Sequence, residues 1–499
     1  MKYRSTRSNE LVSSTYALLH GIAPDGGLYV PCELQKCISY SELAGKSYQE
    51  IAYFVLSKFF TDFTETELQE MIHAAYNKHT FDTSEIAPIH SLMEKISILE
   101  LYHGRTFAFK DMALSLFPHL LAGAREKEGE KKDVLILTAT SGDTGKAALE
   151  GFKDVEGTFI QVFYPTDGVS AMQKEQMQKQ EGSNVRVTAI HGNFDDAQQT
   201  LKRVFVSDEM KAFAEEHNVL LSSANSINIG RFLPQIVYYV SAYEELVGSG
   251  AIHEDEAFNV VVPTGNFGNI LAAYIAKRMG VPIGTLICAS NENHVLTDFF
   301  RTGTYDKHRE LALTLSPSMD IIESSNLERF LYYLVGENPE RVSSFMNDLK
   351  EKGAFSLTEE ELIRAQKEVF GAYIDDAHTI AMIEQIYNSY GYVLDPHTAV
   401  AVGAYMAYVL AHPEQGARHT LIASTAHPYK FPNAVSSALE IAEGGDSYET
   451  LRHIEAVTGV ALPKGLAALE GKEIRFSEII DKEEMGTSIR EFISSIHKG

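Results

Sequence analysis

The sequence has no tryptophan and few cysteines: only Cys32, Cys37 and Cys288 occur among its 499 residues. Three irregularly spaced thiols exclude a disulfide framework and a CxxC metal site. A secreted, disulfide-stabilised fold is therefore not expected. We predict a protein of a reducing compartment, the cytoplasm, without a bound metal ion.

Long apolar runs and positive charge are also scarce. No stretch reaches the roughly 20 apolar residues needed to cross a bilayer, and the opening "MKYRSTRSNE" lacks the apolar core of a secretory signal. The 68 acidic side chains outnumber 43 basic ones, giving a formal charge of −25, which repels nucleic acid and anionic lipid. We expect a small-molecule ligand, no nucleic-acid partner and no membrane partner.

What is present is ordinary globular composition, with 44% hydrophobic and 22% charged residues. Short β-branched runs alternate with helical patterns from residue 95 to about 290, as in "DVLILTA", "FIQVFYP", "NVRVTAIHG", "FNVVVPTG" and "GTLICAS", and "HTLIAST" follows far downstream. This alternation is typical of βαβ units. The sequence predicts an α/β fold with mostly parallel sheets covered by helices, divided into two or more domains.

Two regions carry helical patterns instead. Residues 1 to about 94 contain "YQEIAYFVLSKFF" and "ETELQEMIHAAYNKH", which indicate an N-terminal domain. Residues 323 to 415 contain "NLERFLYYLV" and a capping box in which Thr358 precedes Glu361 by three positions. We predict an inserted helical layer there.

The stretch "TFAFKDMAL" places Lys110 between a strand-like run and a helical pattern. A helix N-terminus disfavours an ammonium group, and packing of Phe107 and Phe109 would add desolvation. A lysine with a lowered pKa suits Schiff-base chemistry. A surface lysine that extends its amine into water is the alternative from this stretch alone.

The stretch "LTATSGDTGKAALEGF" indicates a strand ending at Ala139, a small polar turn and a helix. Backbone N–H groups and hydroxyls at such a turn can bind an anion. The P-loop pattern is not met, because Lys146 is followed by Ala147 and no glycine occupies position 140, which speaks against nucleotide hydrolysis. A plain strand-to-helix turn is the alternative.

Another strand is followed by the loop "GNFGN", in which glycines would let the backbone approach a phosphate. Its spacing is not GxGxxG, so a dinucleotide is not indicated. In "SSANSINIGRF", the side chains of Asn225, Ser226, Asn228 and Arg231 precede an apolar helix. They would suit a carboxylate or phosphate, or serve only as helix cap and surface ion pair.

The strand "HTLIAST" ends in Ser424 and Thr425, followed by His427. Ligands gather at strand ends in open α/β sheets. A metal site built from His427, His397 and His294 is not supported, because none has HxxxH or comparable spacing. No GxSxG motif of a hydrolase occurs either.

Seven motifs, in this order, resemble the threonine synthase family: "APDGGLYVP", "FAFKDMAL", "TSGDTG", "NSINIGR", "PTGNFGN", "LSPSMDI" and "STAHPYKFP". The resemblance covers nearly the whole chain. It implies a pyridoxal-phosphate enzyme of fold type II, similar to the tryptophan synthase β subunit, with two open, mostly parallel sheets and, as in the longer family members, an added N-terminal domain. The implied cofactor is pyridoxal 5'-phosphate.

The resemblance also implies roles for individual residues. Lys110 would hold the cofactor covalently and then move protons between substrate carbons. Thr425 would partner the pyridine nitrogen, and Asp143 would face the ring hydroxyl. The cradle of the cofactor phosphate would consist of Gly265, Asn266, Phe267, Gly268 and Asn269.

The implied reaction converts O-phospho-L-homoserine and water into L-threonine and phosphate. We expect Ser141 and Thr144 to bind the substrate carboxylate, and Asn228 and Arg231 to lie near its phosphate. Alternatives are a related lyase, such as threonine or serine dehydratase, and a homologue that binds a phosphorylated amino acid without catalysis. Retention of Lys110 speaks against the last, because binding alone does not require that amine.

The expected domains follow the same resemblance. They are an N-terminal domain at 1–94, a cofactor-binding core at 95–435 and a C-terminal segment at 436–499 that packs on the core. The core would contain a mobile small subdomain at about 134–255 and a helical insertion at about 323–390. Neither the oligomeric state nor regulation by effectors is indicated by the sequence.

Overall fold

A computed structural model describes residues 1–496 of the chain. Its α-helices are α1 (Ser14–His20), α2 (Tyr40–Leu43), α3 (Tyr48–Leu56), α4 (Glu65–Ala75), α5 (Asp111–Leu114), α6 (Phe117–Lys127), α7 (Asp143–Phe152), α8 (Ala171–Gln178), α9 (Phe194–Val206), α10 (Asp208–Glu216), α11 (Ile229–Phe232), α12 (Pro234–Gly248), α13 (Gly268–Met279), α14 (Val295–Thr302), α15 (Leu327–Leu334), α16 (Pro339–Lys352), α17 (Glu359–Glu368), α18 (Asp376–Tyr390), α19 (Pro396–Ala411), α20 (Pro432–Ala438), α21 (Ser447–Thr458), α22 (Lys464–Ala467) and α23 (Met485–Ser495).

The strands form four sheets. They are β1 (Tyr3–Ser5), β2 (Leu11–Val12), β3 (Tyr29–Pro31), β4 (Ile89–Met93), β5 (Ile96–Glu100), β6 (Asp133–Ala139), β7 (Thr158–Pro165), β8 (Val185–His191), β9 (Val219–Ser223), β10 (Phe258–Pro263), β11 (Ile283–Ser290), β12 (Thr304–Asp306), β13 (Ala354–Ser356), β14 (Val369–Tyr373), β15 (Thr420–Ser424) and β16 (Ile479–Asp481).

The larger sheet has six strands in the order β14-β11-β10-β15-β5-β4. Its neighbours run parallel except β4, which pairs with β5 in the antiparallel direction. In its centre Val261 lies opposite Ile287 on one side and Ile422 on the other. Strands β10 and β15 are buried throughout, because helices cover both faces of a parallel sheet.

The smaller sheet has five parallel strands in the order β16-β8-β7-β6-β9. Its outer strand β16 comes from much later in the chain and pairs Ile479 with Ala189. Helix α23 then covers one face, where Ile489 and Ile493 join the core beside Leu135 and Leu137. The two sheets together confirm the predicted α/β fold.

The N-terminal part of the chain adds a three-stranded antiparallel sheet in the order β2-β1-β3. The two predicted helices are present as α3 and α4, and each begins with a capping box. Their apolar faces pack into the same core as α6 and α12. The predicted capping box of Thr358 and Glu361 also opens α17.

The predicted helical insertion differs from the structure in one respect. Besides helices α15 to α18, this region contains β14, which forms the edge of the larger sheet, and β13, which pairs with β12 in a two-stranded ribbon. These strands are three and five residues long. So short a run between helices has too few residues to show a period of two.

Two kinds of feature do not occur among the described residues. No helix within residues 1–496 combines the length and apolar character needed to cross a membrane. No group of three or more metal-ligating side chains occurs in the same range.

Candidate active site

A cavity lies between the two sheets, at the carboxyl ends of their parallel strands. Ala139 ends β6, Pro263 ends β10, and Thr425 directly follows β15; each lines the cavity. This is where open α/β sheets bind ligands. The cavity contains Lys110, the loop 265–269 and several of the predicted substrate contacts.

Lys110 is held at this edge by its neighbours in the chain. The backbone N–H of Phe109 donates to the carbonyl of Thr425 at 2.8 Å, which fixes the start of α5 against the end of β15. The Lys110 side chain is 8% exposed. Its Nζ lies 3.2 Å from Asp143 Oδ2, 3.3 Å from Ser318 Oγ and 4.4 Å from the centre of the Phe109 ring.

Burial lowers the pKa of the Lys110 ammonium from its ordinary value, and the carboxylate of Asp143 acts in the opposite direction. The sequence predicts a lowered pKa from a helix dipole and from desolvation by Phe107 and Phe109, and of these the Phe109 ring does pack against the amine, with its centre 4.4 Å from Nζ. Helix α5 has only four residues, so its dipole is small, and Phe107 packs in a separate cluster with Tyr429 and Leu466. Burial is therefore the main cause.

Asp143 lies beneath the cavity surface and accepts four hydrogen bonds. Its Oδ1 accepts from Lys430 Nζ at 2.5 Å and from Gln173 Nε2 at 2.7 Å. Its Oδ2 accepts from Lys110 Nζ and from Ser318 Oγ, both at 3.2 Å. Burial alone would raise the pKa of this carboxyl, but the neighbouring side chains of Lys430 and Lys110 outweigh burial and hold the pKa well below its usual range.

The loop 265–269 has the shape of a backbone cradle. A Cβ atom on Gly265 would lie 2.6 Å from the carbonyl oxygen of Ser318, so the close approach requires glycine. Phe267 has a left-handed φ of 62° and precedes α13, whose first N–H groups face the end of the loop. Asn269 Oδ1 accepts hydrogen bonds from Tyr238 and Tyr239.

Two buried polar atoms in the cavity lining have no hydrogen-bond partner among the described residues: Asn269 Nδ2 and Arg231 Nε. Both are donors, so both are suited to an anion. Arg231 is held by a 2.5 Å hydrogen bond from Nη1 to the carbonyl of Ala224. Burial lowers the pKa of Arg231 to about 10, and the group keeps its charge at neutral pH.

The predicted substrate residues do not all meet at this cavity. Ser141 and Thr144 line it together with Arg231. Asn228 does not, because its side chain caps α11 by accepting from the N–H of Gly230 and donating to the carbonyl of Leu18. With both ends of its amide in use, Asn228 has a structural role, and its prediction as a substrate contact gains no support from the geometry.

Several site residues were not singled out from the sequence. Lys430 and Ser318 fall inside recognised motifs but had no assigned role. His397 lines the cavity, where its Nε2 accepts from the Ser318 N–H at 3.2 Å and its Nδ1 donates to Asp395 at 2.8 Å. The pattern "DPHT" at residues 395–398, which marks a helix N-cap, is the only local signal in the sequence for the hydrogen bond between His397 and Asp395.

Comparisons with known proteins agree with this geometry. Family models match the chain at residues 2–76 (Threonine synthase N terminus), 90–425 (Pyridoxal-phosphate dependent enzyme) and 398–493 (Threonine synthase, C-terminal). Threonine synthase of Saccharomyces cerevisiae is 34% identical over 526 aligned positions, covering 99% of this chain and 98% of that protein. Human Threonine synthase-like 1 is 41% identical over 439 positions, covering 86% of this chain but 58% of that protein.

A solved structure, pyridoxal-phosphate-bound threonine synthase from Brucella melitensis, superposes with a TM-score of 0.86 at 35% identity and covers 99% of both chains. The fold and the site define a pyridoxal-phosphate-dependent enzyme of fold type II. The chain belongs to the threonine synthase family. It spans a little over half of the length of the human relative.

The residues present fit the cofactor of this family, pyridoxal phosphate. A buried amine of lowered pKa is the group that such a cofactor needs. The glycine cradle and the unpartnered Asn269 Nδ2 suit its phosphate. The hydroxyl residue Thr425 lines the same cavity.

Proposed function

We propose that this protein is a threonine synthase, which converts O-phospho-L-homoserine and water into L-threonine and phosphate. One observation carries the proposal: a buried lysine amine and a buried arginine with an unpartnered Nε line the same cavity. The amine of Lys110 suits proton transfer at carbon, and the guanidinium of Arg231 suits the phosphate group of the substrate.

When bound, pyridoxal phosphate supplies an electron sink that makes the α proton of an amino acid acidic. Lys110 would hold the cofactor and then carry protons between the α and β carbons of the substrate. The loop 265–269 would hold the cofactor phosphate through backbone N–H groups and Asn269. Thr425 would meet the pyridine nitrogen. Asp143 does not line the cavity and its carboxylate already accepts four hydrogen bonds, so the predicted place of Asp143 beside the ring hydroxyl gains no support from the geometry.

The substrate has two anionic ends, so two anion sites are needed. We assign Ser141 and Thr144, with the backbone N–H groups of their loop, to the carboxylate, and Arg231 to the phosphate that leaves from the γ carbon. A lyase that acts on an uncharged side chain would not need the second site. The buried charge of Arg231 in the cavity lining therefore favours a phosphorylated substrate over threonine or serine.

We also propose the cytoplasmic location and the domain division that the sequence predicts. Cys32, Cys37 and Cys288 are free thiols, which suits a reducing compartment. The domains are an N-terminal one at 1–94, a core at 95–435 and a segment at 436–499, of which residues 497–499 lie outside the described residues.

The test is to incubate the protein with pyridoxal phosphate and O-phospho-L-homoserine and to quantify threonine and inorganic phosphate together. We expect equimolar products, and a loss of at least about 1,000-fold in Lys110→Ala, because no other group would transfer the protons. Lys127→Ala, which removes a partly exposed lysine paired with Glu67, is the control and should retain activity.

Other outcomes identify the alternatives. Phosphate without threonine would indicate a different eliminating enzyme. Neither product, with the cofactor bound and its absorbance unchanged by substrate, would indicate a binding protein without catalysis.

A further inference from the structure

Lys430 is a completely buried lysine that the proposed reaction does not use. It ends the short 3-10 turn Pro428–Lys430 after β15, and its side chain is 0% exposed. Its Nζ lies 2.5 Å from Asp143 Oδ1 and donates to the carbonyl of Thr106 at 2.9 Å. A lysine is almost never buried to this degree unless it is paired, so the ion pair with Asp143 accounts for its position.

Asp143 thus lies between two lysines with different surroundings. Lys430 contacts Oδ1 at 2.5 Å and does not line the cavity, whereas Lys110 contacts Oδ2 at 3.2 Å and does. Since four donors surround the carboxylate, it has no free position for a proton. One negative charge is therefore shared by two amines, and only one of them can be fully neutralised.

The hydrogen bonds of Lys110 suit a neutral amine. Its Nζ donates to Asp143 Oδ2 and to Ser318 Oγ, and a neutral amine has two N–H groups and one lone pair. When a neutral amine donates these two hydrogen bonds, the lone pair of its nitrogen is left free to react with a group in the cavity.

Other charged groups near Lys430 do not replace it as the partner of Asp143. Lys146 forms its own ion pair with Glu150 at 3.2 Å. Burial lowers the pKa of His427 to about 3 and raises that of Asp111 to about 6. The titratable groups near Lys430 include Lys110, Asp111, Asp143, Lys146 and His427.

We propose that Lys430 is a positioning residue that neutralises Asp143, so that Lys110 is oriented by this carboxylate without being held in the charged form by it. The inference rests on the proposed role of Lys110 as the catalytic amine. Without Lys430, the full charge of Asp143 would act on the nitrogen of Lys110 and favour its protonated state. The nucleophile would then be oriented correctly but charged.

The test is a pH titration of the visible absorbance of the holoenzyme, without substrate, for the wild type and for Lys430→Met. This absorbance reports the protonation of the nitrogen that joins Lys110 to the cofactor. We expect the midpoint to rise by about one pH unit or more, because an uncompensated opposite charge within 4–6 Å favours the charged form. In the substrate assay kcat should fall, with its optimum moved to higher pH, while KM stays unchanged.

Two variants separate charge from hydrogen bonding. Gln173→Leu removes the other donor to Asp143 Oδ1 without changing any charge. Its midpoint should therefore move by less than half of the shift expected for Lys430→Met. Lys430→Arg keeps the charge, and its midpoint should match that of the wild type. Equal shifts in Gln173→Leu and Lys430→Met would overturn the inference, as would an unchanged or lowered midpoint in Lys430→Met.

A double variant covers the case in which Lys430→Met does not fold. Lys430→Met with Asp143→Asn removes both charges together and leaves no unpaired ion in the core. Its midpoint should lie at or below that of the wild type, and a raised midpoint would overturn the inference. Because the titration needs no substrate, it decides the role of Lys430 even if the wild type makes no threonine.

Discussion

At the scale of single residues, the site depends on contacts that are distant in the sequence. Lys110 could be singled out because a lysine among apolar residues is locally unusual. Lys430 could not, since it reaches the carbonyl of Thr106 across 324 residues and no local pattern records that contact. The sequence therefore singles out Lys110, the proposed reactive amine, but not the second lysine that shares its carboxylate.

Arg231 provides a prediction at this scale. Arg231→Ala should raise KM for O-phospho-L-homoserine by at least about tenfold, because a hydrogen bond to a charged group contributes roughly 1.5–3 kcal/mol. Cofactor content should stay unchanged. Steady-state kinetics with the exposed Arg203→Ala as control would measure the effect, and an unaltered KM would remove Arg231 from the substrate site.

At the scale of elements, strands were predicted where they are buried and β-branched. "DVLILTA" corresponds to β6 and "HTLIAST" to β15, because buried parallel strands form continuous apolar runs. Among the strands that the sequence does not predict are β14 and β16, each at an edge of its sheet. They are three to five residues long. Each forms a strand because it pairs with a neighbouring strand from a distant part of the sequence, and such pairing leaves no sign in the local periodicity.

The cradle loop provides a prediction for an element. Gly265→Ala should weaken cofactor binding by about tenfold or more, because the new Cβ would lie 2.6 Å from a backbone oxygen of Ser318 and the loop would have to move. Equilibrium titration with pyridoxal phosphate measures the affinity.

The matched control is Gly486→Ala in α23, where a Cβ atom meets nothing within 4 Å. That change should leave the affinity for the cofactor unchanged and stabilise the helix by about 0.5–1 kcal/mol. Equal affinities in the two variants would contradict the role assigned to the loop.

At the scale of the whole molecule, one buried arginine joins the N-terminal sheet to the loop 265–269. Arg329 Nε donates to the carbonyl of Tyr29 in β3 at 2.9 Å, and its Nη1 donates to Asn326 Oδ1 at 2.5 Å. Asn326 in turn donates from Nδ2 to the carbonyl of Asn266 at 3.1 Å. The N-terminal part of the chain thus reaches the loop 265–269 through Arg329 and Asn326 without lining the cavity.

Arg329→Met should lower the free energy of unfolding by about 3 kcal/mol or more, because it leaves several buried acceptors without a donor. It should also weaken cofactor binding, although Arg329 does not line the cavity. Denaturant unfolding and cofactor titration measure the two effects.

Arg452→Met is the control, because its ion pair with Glu470 is half exposed and contributes at most about 1 kcal/mol. If Arg329→Met were destabilised but bound the cofactor with normal affinity, the proposed support of the cradle would be wrong.

The pairing of β16 with β8 has a consequence for the synthesis of the protein. The hydrogen bond from Thr188 to Glu478 beside this pair spans 290 residues. A ribosome adds 5–20 residues per second, so β8 waits roughly 15 to 60 s for its partner. During that time the smaller sheet has an open edge to which another chain could add. The smaller sheet is therefore completed only after residues 479–481 have been synthesised.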